Sequence, residues 1–253
     1  MAAAKENKTI VKQQSYYVVK SNDLIQKSRY AMNAQQLKVT MYLVSKIKPH
    51  DSNDETYEFD VKQFCKACNI DWTNGKNYQD VKSALKDMAD KSIWLEMPDA
   101  SEVLVRWFNR VVINKGKGTF SIKFHEDMFP YLANLSERYT QYSLENVLPM
   151  KSKYGLRLYE LLKSYQNLGG LNISLNELRK RLDCDSYPRY PDFRVNVIER
   201  ALADINEYSD IAVTYTAIKN GRSYSDILFE ISEPNKEDSY VRHLNREGAL
   251  QSE

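Results

Sequence analysis

Few residues in this chain have types and spacing that suggest chemistry. Cys65 and Cys68 stand as C-x-x-C, Asp183 and Asp185 flank Cys184, and Asn114-Lys115-Gly116-Lys117-Gly118 is a glycine-rich loop. A structural zinc site needs four ligands, and the C-x-x-C pair supplies half; Cys184 and the three histidines (His50, His125, His243) are scattered. Cys68 also falls on an apolar helical stripe, which predicts a buried thiol. Asp183-x-Asp185 sits where a helix should end, a poor frame for a metal. The glycine-rich loop lacks the G-x-x-x-x-G-K-[ST] spacing of a phosphate cradle. No His-x-His pair is present to hold the metal of a tyrosine nicking enzyme, despite 18 tyrosines. Tyr42 and Tyr159 lie on apolar stripes and should pack in a core. The chain is therefore expected to have no catalytic residue, no metal and no cofactor. What remains is the chemistry of cations. Arg194, Asn196 and Arg200 share one stretch, and arginine pairs bidentately with guanine edges as asparagine does with adenine.

Composition neither excludes nor requires such a role. The chain has 253 residues, 42% of them hydrophobic and 28% charged, which excludes wholesale disorder and collagen-like fibres. Its length suggests two modest domains. No apolar run approaches the roughly 18 residues of a membrane helix. Residues 1–14 are polar with no apolar signal core, and three cysteines are too few for a disulfide framework, so a soluble cytoplasmic protein with no membrane partner is expected. Net charge is +2, but it is segregated. Residues 1–48 carry +7, 76–124 carry +3 and 151–200 carry +4, separated by 49–75 at −4 and 125–150 at −3, with 201–253 at −5. Such blocks are compatible with basic faces joined by acidic connectors.

The elements that position those cations follow from an internal repeat. Phe59, Val61, Phe64 and Cys68 match Ile173, Leu175, Leu178 and Leu182; Val81, Ala84, Leu85, Asp87 and Met88 match Ile198, Ala201, Leu202, Asp204 and Ile205; Met41, Tyr42 and Val44 match Leu158, Tyr159 and Leu161. Three blocks in one order at near-constant offset predict two copies of one fold. Each copy opens with an apolar stripe at i, i+4, i+7 (Leu37, Met41, Val44; Tyr154, Leu158, Leu161). A short extended piece follows (Tyr57–Phe59; Leu171–Ile173), then a cap residue (Asp60; Ser174) before a short helix. A third helix is expected at about 77–90 and 192–207, and a hairpin closes each copy. In the first, Val103–Ile113 and Thr119–Phe124 flank the glycine-rich turn; in the second, Ile211–Ile218 and Tyr224–Ile231 flank Lys219-Asn220-Gly221-Arg222. The fold class is thus α+β, with tandem winged-helix domains as a pseudo-repeat. We expect an arm over 1–14, a first domain over 15–135, a second over 136–234 and a loose polar tail over 235–253.

In a helix-turn-helix the second helix of the pair enters the major groove. Arg194, Asn196 and Arg200 then become the candidate base readers. Arg179, Lys180 and Arg181 on the preceding helix, Arg189 beside it, and Lys219 and Arg222 at the wing are candidate phosphate contacts. Lys76, Lys82, Lys86, Lys115 and Lys117 take the same part in the first copy, where lysines suit phosphates better than bases. The second copy should read and the first should clamp.

The segments VVKSNDLIQKSRYAMNAQQLKVTMYLVSKIKP (18–49), KYGLRLYELLKSY (153–165), SLNELRKRL (174–182), PDFRVNVIERALADIN (191–206) and IAVTYTAIKNGRSYSDILFEI (211–231) resemble the iteron-binding replication initiators of theta-replicating bacterial plasmids. The resemblance covers about residues 15–232. It implies binding to directly repeated sites in double-stranded plasmid origin DNA, origin opening, and loading of the replicative helicase with a host replication initiator. It also implies self-association through the first domain, with the dimer repressing its own gene. It places Arg194 at the start of the reading helix. The rivals are a transcription regulator without origin function, a protein-binding winged helix and, in another class, a primase or nicking enzyme.

Overall fold

The computed structural model describes residues 17–29, 31–68, 70, 77–97, 99 and 101–251. The expected arm over 1–14 and Lys76 lie outside the described residues.

The first copy begins with β1 (Tyr17–Ser21), α1 (Asn22–Lys27) and β2 (Ser28–Arg29), followed by α2 (Ala34–Val44). Asn33 caps α2 reciprocally with Gln36, each side chain bonding the other's backbone N–H. β3 (Tyr57–Asp60) leads into α3 (Val61–Ala67), where the Asp60 carboxylate accepts from Gln63 N at 2.8 Å. α4 (Asn77–Ala89) is the third helix, and β4 (Ser92–Glu96), β5 (Glu102–Arg106), β6 (Phe108–Asn114), β7 (Thr119–Phe124) and β8 (Tyr139–Ser143) follow. The second copy runs α5 (Lys153–Lys163), β9 (Gly170–Ser174), α6 (Leu175–Arg181), then one long helix, α7. α7 is α-helical over Tyr190–Phe193, π-helical over Arg194–Glu199 and α-helical again over Arg200–Tyr208. The wing strands β10 (Ala212–Asn220) and β11 (Ser223–Ser232) and a last helix, α8 (Lys236–Gln251), complete the chain.

The repeat is visible in the sheets. β3–β7–β6 in the first copy has the same arrangement as β9–β11–β10 in the second, all antiparallel. The matched positions are core positions in both: Phe59 and Ile173, Phe64 and Leu178, Cys68 and Leu182, Val81 and Ile198, Met88 and Ile205 are all buried. Gly118 (φ 66°) and Gly221 (φ 65°) supply the left-handed residue that turns each hairpin. The two copies share a continuous hydrophobic core, with α2 packed on α5. Among the described residues no helix is long and apolar enough to cross a membrane.

Two expectations are corrected. The stretch Val103–Ile113 is two strands rather than one. Trp107 is fully buried and breaks it, so β5 pairs with β4 in a separate sheet (β2–β4–β5) while β6 pairs with β7 in the wing. No glycine or proline marks the break, which hides it in the sequence. The segment after 235 is a docked helix rather than a loose tail. Asn235 Oδ1 accepts from Asp238 N at 2.8 Å, and Arg242 Nη1 donates to the carbonyls of Ser209 (3.1 Å) and Ile211 (2.6 Å). Arg246 Nη1 donates to Tyr208 O at 2.8 Å. Cations that meet the open carbonyls after a helix C-terminus bond orphan acceptors, so a polar segment docks without an apolar face.

β1 pairs with β8, Tyr17 opposite Ser143 and Ser21 opposite Tyr139, so the chain just beyond residue 135 closes back on the start of the first copy. The seam between the copies is held by charge. Lys20 Nζ reaches Glu160 Oε1 at 2.6 Å, Tyr142 donates to the same oxygen at 2.5 Å, and Arg157 Nη1 lies 3.4 Å from Oε2, all buried. Burial alone would push the Glu160 carboxyl up. The attraction of Lys20 and Arg157, with the hydrogen bonds from Lys20 and Tyr142, brings it below the usual carboxylate range instead. At Lys20 burial outweighs the attraction of Glu160, Arg157 adds repulsion, and the ammonium pKa falls.

Candidate nucleic-acid interface

The N-terminal part of α7 is built around a buried Phe193, with Val197, Ile198, Ala201 and Ile205 continuing the core face. Arg194 and Arg200 are exposed on the outer side, while Asn196 is half-buried and donates back to Asp192 O at 2.9 Å. Arg194 Nε lies 3.5 Å from Glu199 Oε1, five residues on. On an α-helix, at about 100° per residue, that spacing would splay the two side chains apart; the π-helical register brings them together.

The wing is tied to the start of this helix. The Tyr190 and Tyr224 rings stack with centroids 4.0 Å apart, and Lys219 Nζ lies 4.9 Å from the Tyr224 centroid. Tyr190 also shares a hydrogen bond with Tyr215 of β10, next to the Arg194–Glu199 pair. Burial, and then the neighbouring Tyr215 and Tyr224, push the Tyr190 phenol up to about 12, so it stays protonated and able to donate at neutral pH. The first copy repeats the device in simpler form. Tyr78, near the start of α4, donates to the carbonyl of Lys115 at the wing tip at 2.9 Å. In each copy a tyrosine thus makes the third-helix N-terminus and the wing one surface. The spacing of Tyr78 and Tyr190 is not that of the repeat, so sequence comparison gave no signal for either.

The other candidates divide. Lys180, Arg189, Lys219 and Arg222 are exposed around α7 and its wing, with Arg189 paired to Asp192 at 2.8 Å. Arg179 is committed within the domain: its guanidinium lies 4.8 Å from the Phe193 ring centroid and donates to the carbonyls of Tyr187 (3.0 Å) and Pro188 (3.1 Å). It shapes the turn that launches α7. Arg181 is half-buried and donates to Glu177 Oε1 at 2.7 Å. In the first copy Lys82, Lys86, Lys115 and Lys117 are exposed, and Lys86 pairs with Asp90. Asp204 turns away from Arg200 and accepts from Lys151 N (3.0 Å) and Ser152 N (2.7 Å), fixing the start of α5. Gly155 is the close approach this needs, since a Cβ there would stand 2.7 Å from Asp204 Oδ2.

Two further features escaped the sequence. A cleft of about 320 Å³ between the copies is lined by Lys27, Arg29, Lys180 and Arg181 together with Glu96 and Glu177, the last paired with Arg181. The two pairs of cations lie some 150 residues apart in sequence, and the closed seam brings them to one cleft. Trp94 and Leu104, cross-strand partners on β4 and β5, are 47% and 52% exposed, and among the described residues no strand pairs with the outer edge of β5. Cys65, Cys68 and Cys184 are buried free thiols, and burial raises all three thiol pKa values. Among the described residues no three or more His, Cys, Asp or Glu side chains gather as metal ligands.

Comparison with known proteins agrees with this arrangement. The family described as "Initiator Replication protein, WH1" matches residues 17–163, and that described as "Initiator Rep protein, WH2" matches residues 174–231. The PI protein of Escherichia coli is 29% identical over 146 residues, covering 50% of this chain and 47% of that protein. The match thus spans about half the length of this relative. An uncharacterized 27.6 kDa protein of Escherichia coli is 20% identical over 180 residues, covering 69% of this chain and 74% of its own. The crystal structure of Pi initiator protein in complex with iteron DNA has the same fold, with a TM-score of 0.69 at 20% identity over 88% of this chain and 100% of that one.

Proposed function

Because the chain belongs to the initiator replication protein family in both its WH1 and WH2 parts, we propose that it starts plasmid replication by binding directly repeated sites in duplex origin DNA. The observation that carries this reading is the tyrosine tie in both copies, which sets the third helix and its basic wing on one surface. In the second copy α7 lies in the major groove, with Arg194 and Arg200 reading bases and Asn196 free to do so once it releases Asp192 O. Lys180, Arg189, Lys219 and Arg222 hold phosphates around it, and Lys82, Lys86, Lys115 and Lys117 clamp the backbone from the first copy. Arg179 and Arg181 shape the domain, and the phosphate contacts fall to the exposed cations around them. Bound copies open the origin and recruit the helicase with a host initiator, with no covalent step by this chain. A transcription regulator would use the same surface; loss of plasmid copy number without a change in transcription separates the two.

A gel shift on repeats from the DNA flanking the gene tests the reading helix. Arg194→Ala should weaken binding by about 1–3 kcal/mol and relax base preference at one position. Binding as tight and as selective as wild type would show that α7 does not read through this residue.

Self-association, and with it autorepression, is assigned to the first copy. Trp94 and Leu104 form an exposed apolar patch at a strand edge with no partner among the described residues, a surface that a second copy can cover in an isologous pair. In sedimentation velocity the wild-type chain should show a concentration-dependent dimer, and Trp94→Glu with Leu104→Glu should be monomeric. A dimer in the double variant, or a wild type that never dimerises, removes this assignment.

A further inference from the structure

The geometry points to Val195 as a base-reading residue that recognises the 5-methyl group of a thymine. This rests on the reading of α7 as the groove helix and adds an apolar contact to the polar ones already assigned.

Three observations lead there. First, Val195 is 44% exposed within a helix whose other large apolar side chains, Phe193, Val197, Ile198, Leu202 and Ile205, are buried. A β-branched residue on the outer face of a helix gains nothing from burial and slightly disfavours the helix. Secondly, it occupies the N-terminal third of α7, the part of a recognition helix that reaches base edges, between Arg194 and Asn196. Thirdly, it lies inside the π-helical stretch Arg194–Glu199. The register pairs Arg194 with Glu199 at 3.5 Å beside Tyr215 of the wing, and Asn196 is folded back onto Asp192 O at 2.9 Å. Both polar neighbours have partners within the chain, and Val195 stands between them as an exposed apolar side chain, with the exposed Ala203 two turns further along. π turns inside α-helices are rare and concentrate at functional sites.

In the major groove the thymine methyl is the one apolar group a base pair presents. A valine isopropyl group needs no hydrogen-bond partner and matches that methyl. Lysine or arginine at the same position would favour guanine, so the site is apolar by residue type as well as by exposure.

The test uses the full chain and duplexes selected by the wild type from a randomised pool. Each thymine in the selected sequence is replaced in turn by deoxyuridine, which removes the methyl and leaves the pairing edge intact. One position should cost the wild type about fourfold in affinity, the worth of one buried methyl-sized group. Val195→Ala, which favours the helix and touches no core contact, should bind the selected duplex about fourfold more weakly and be indifferent to deoxyuridine at that one position. Retained sensitivity of the alanine variant at every thymine overturns the assignment of Val195 while leaving α7 as the reading helix. A pool that yields no preferred sequence overturns the groove reading itself, and the inference with it.

Discussion

Replacing Glu160 with alanine should destabilise the chain by about 3–5 kcal/mol, seen as a lower urea midpoint with an unchanged slope. The carboxylate is fully buried and faces two cations, Lys20 and Arg157, with Tyr142 donating to it. Removing it leaves two like charges uncompensated in the interior, where each costs far more than the lost attraction alone. Lys20→Met should cost less, because Arg157 and Tyr142 still satisfy the carboxylate. The same group sets an acid limit. Its pKa is depressed in the folded chain, so its contribution is complete above the ordinary carboxylate value of about 4.3 and is lost as pH falls through the lower folded value. Glu160→Ala should abolish that part of the acid transition. A variant as stable as wild type would mean that water, not protein, solvates the seam.

DNA binding should be far more sensitive to salt than a net charge of +2 suggests. Lys180, Arg189, Lys219 and Arg222 are exposed around the second third-helix and wing, and Lys82, Lys86, Lys115 and Lys117 around the first. If about six of these neutralise phosphates, the logarithm of affinity falls with a slope near −5 against the logarithm of salt. Raising salt from about 50 to 200 mM then costs on the order of 10³ in affinity. Fluorescence anisotropy across a salt series reads the slope directly. Removing Lys115 and Lys117 together should flatten it by about 2 without changing which sequence is preferred. A slope near zero, or one unaffected by the first wing, would show that the first copy does not clamp.

Much of this architecture was legible in the residues. The repeat placed the three helices and the wing of each copy because core positions recur at fixed spacing, and Asp60 and Ser174 marked helix starts through their capping oxygens. The glycines at 118 and 221 marked the turns through a conformation few other residues accept. What escaped depends on contacts between distant segments. β1 finds β8 more than a hundred residues later, and the β4–β5 hairpin is inserted between third helix and wing with no counterpart in the second copy. The docking of α8 relies on guanidinium-to-carbonyl bonds, which leave no apolar period to detect.

The site followed the same rule. Arg194 and Arg200 were readable as outward cations on a helix, but a run such as Arg179-Lys180-Arg181 does not reveal which member is spent on the fold. Arg179 is consumed by the turn and by Phe193, while Lys180 stays free at the surface. The π register left no mark in composition either, since one extra residue per turn changes spacing by less than the scatter of an apolar stripe.

α7 is held at both ends: Tyr190 and Tyr224 fasten its start to the wing, and α8 fastens the chain leaving its end through Arg242 and Arg246. Mechanically it is a beam clamped at both supports, with its irregular turn near one of them. Fixing both ends opposes swivelling and fraying. If a duplex seated on α7 were forced to curve, its torque would pass into the wing sheet and across the charged seam, and the strain of deformation would fall on the DNA.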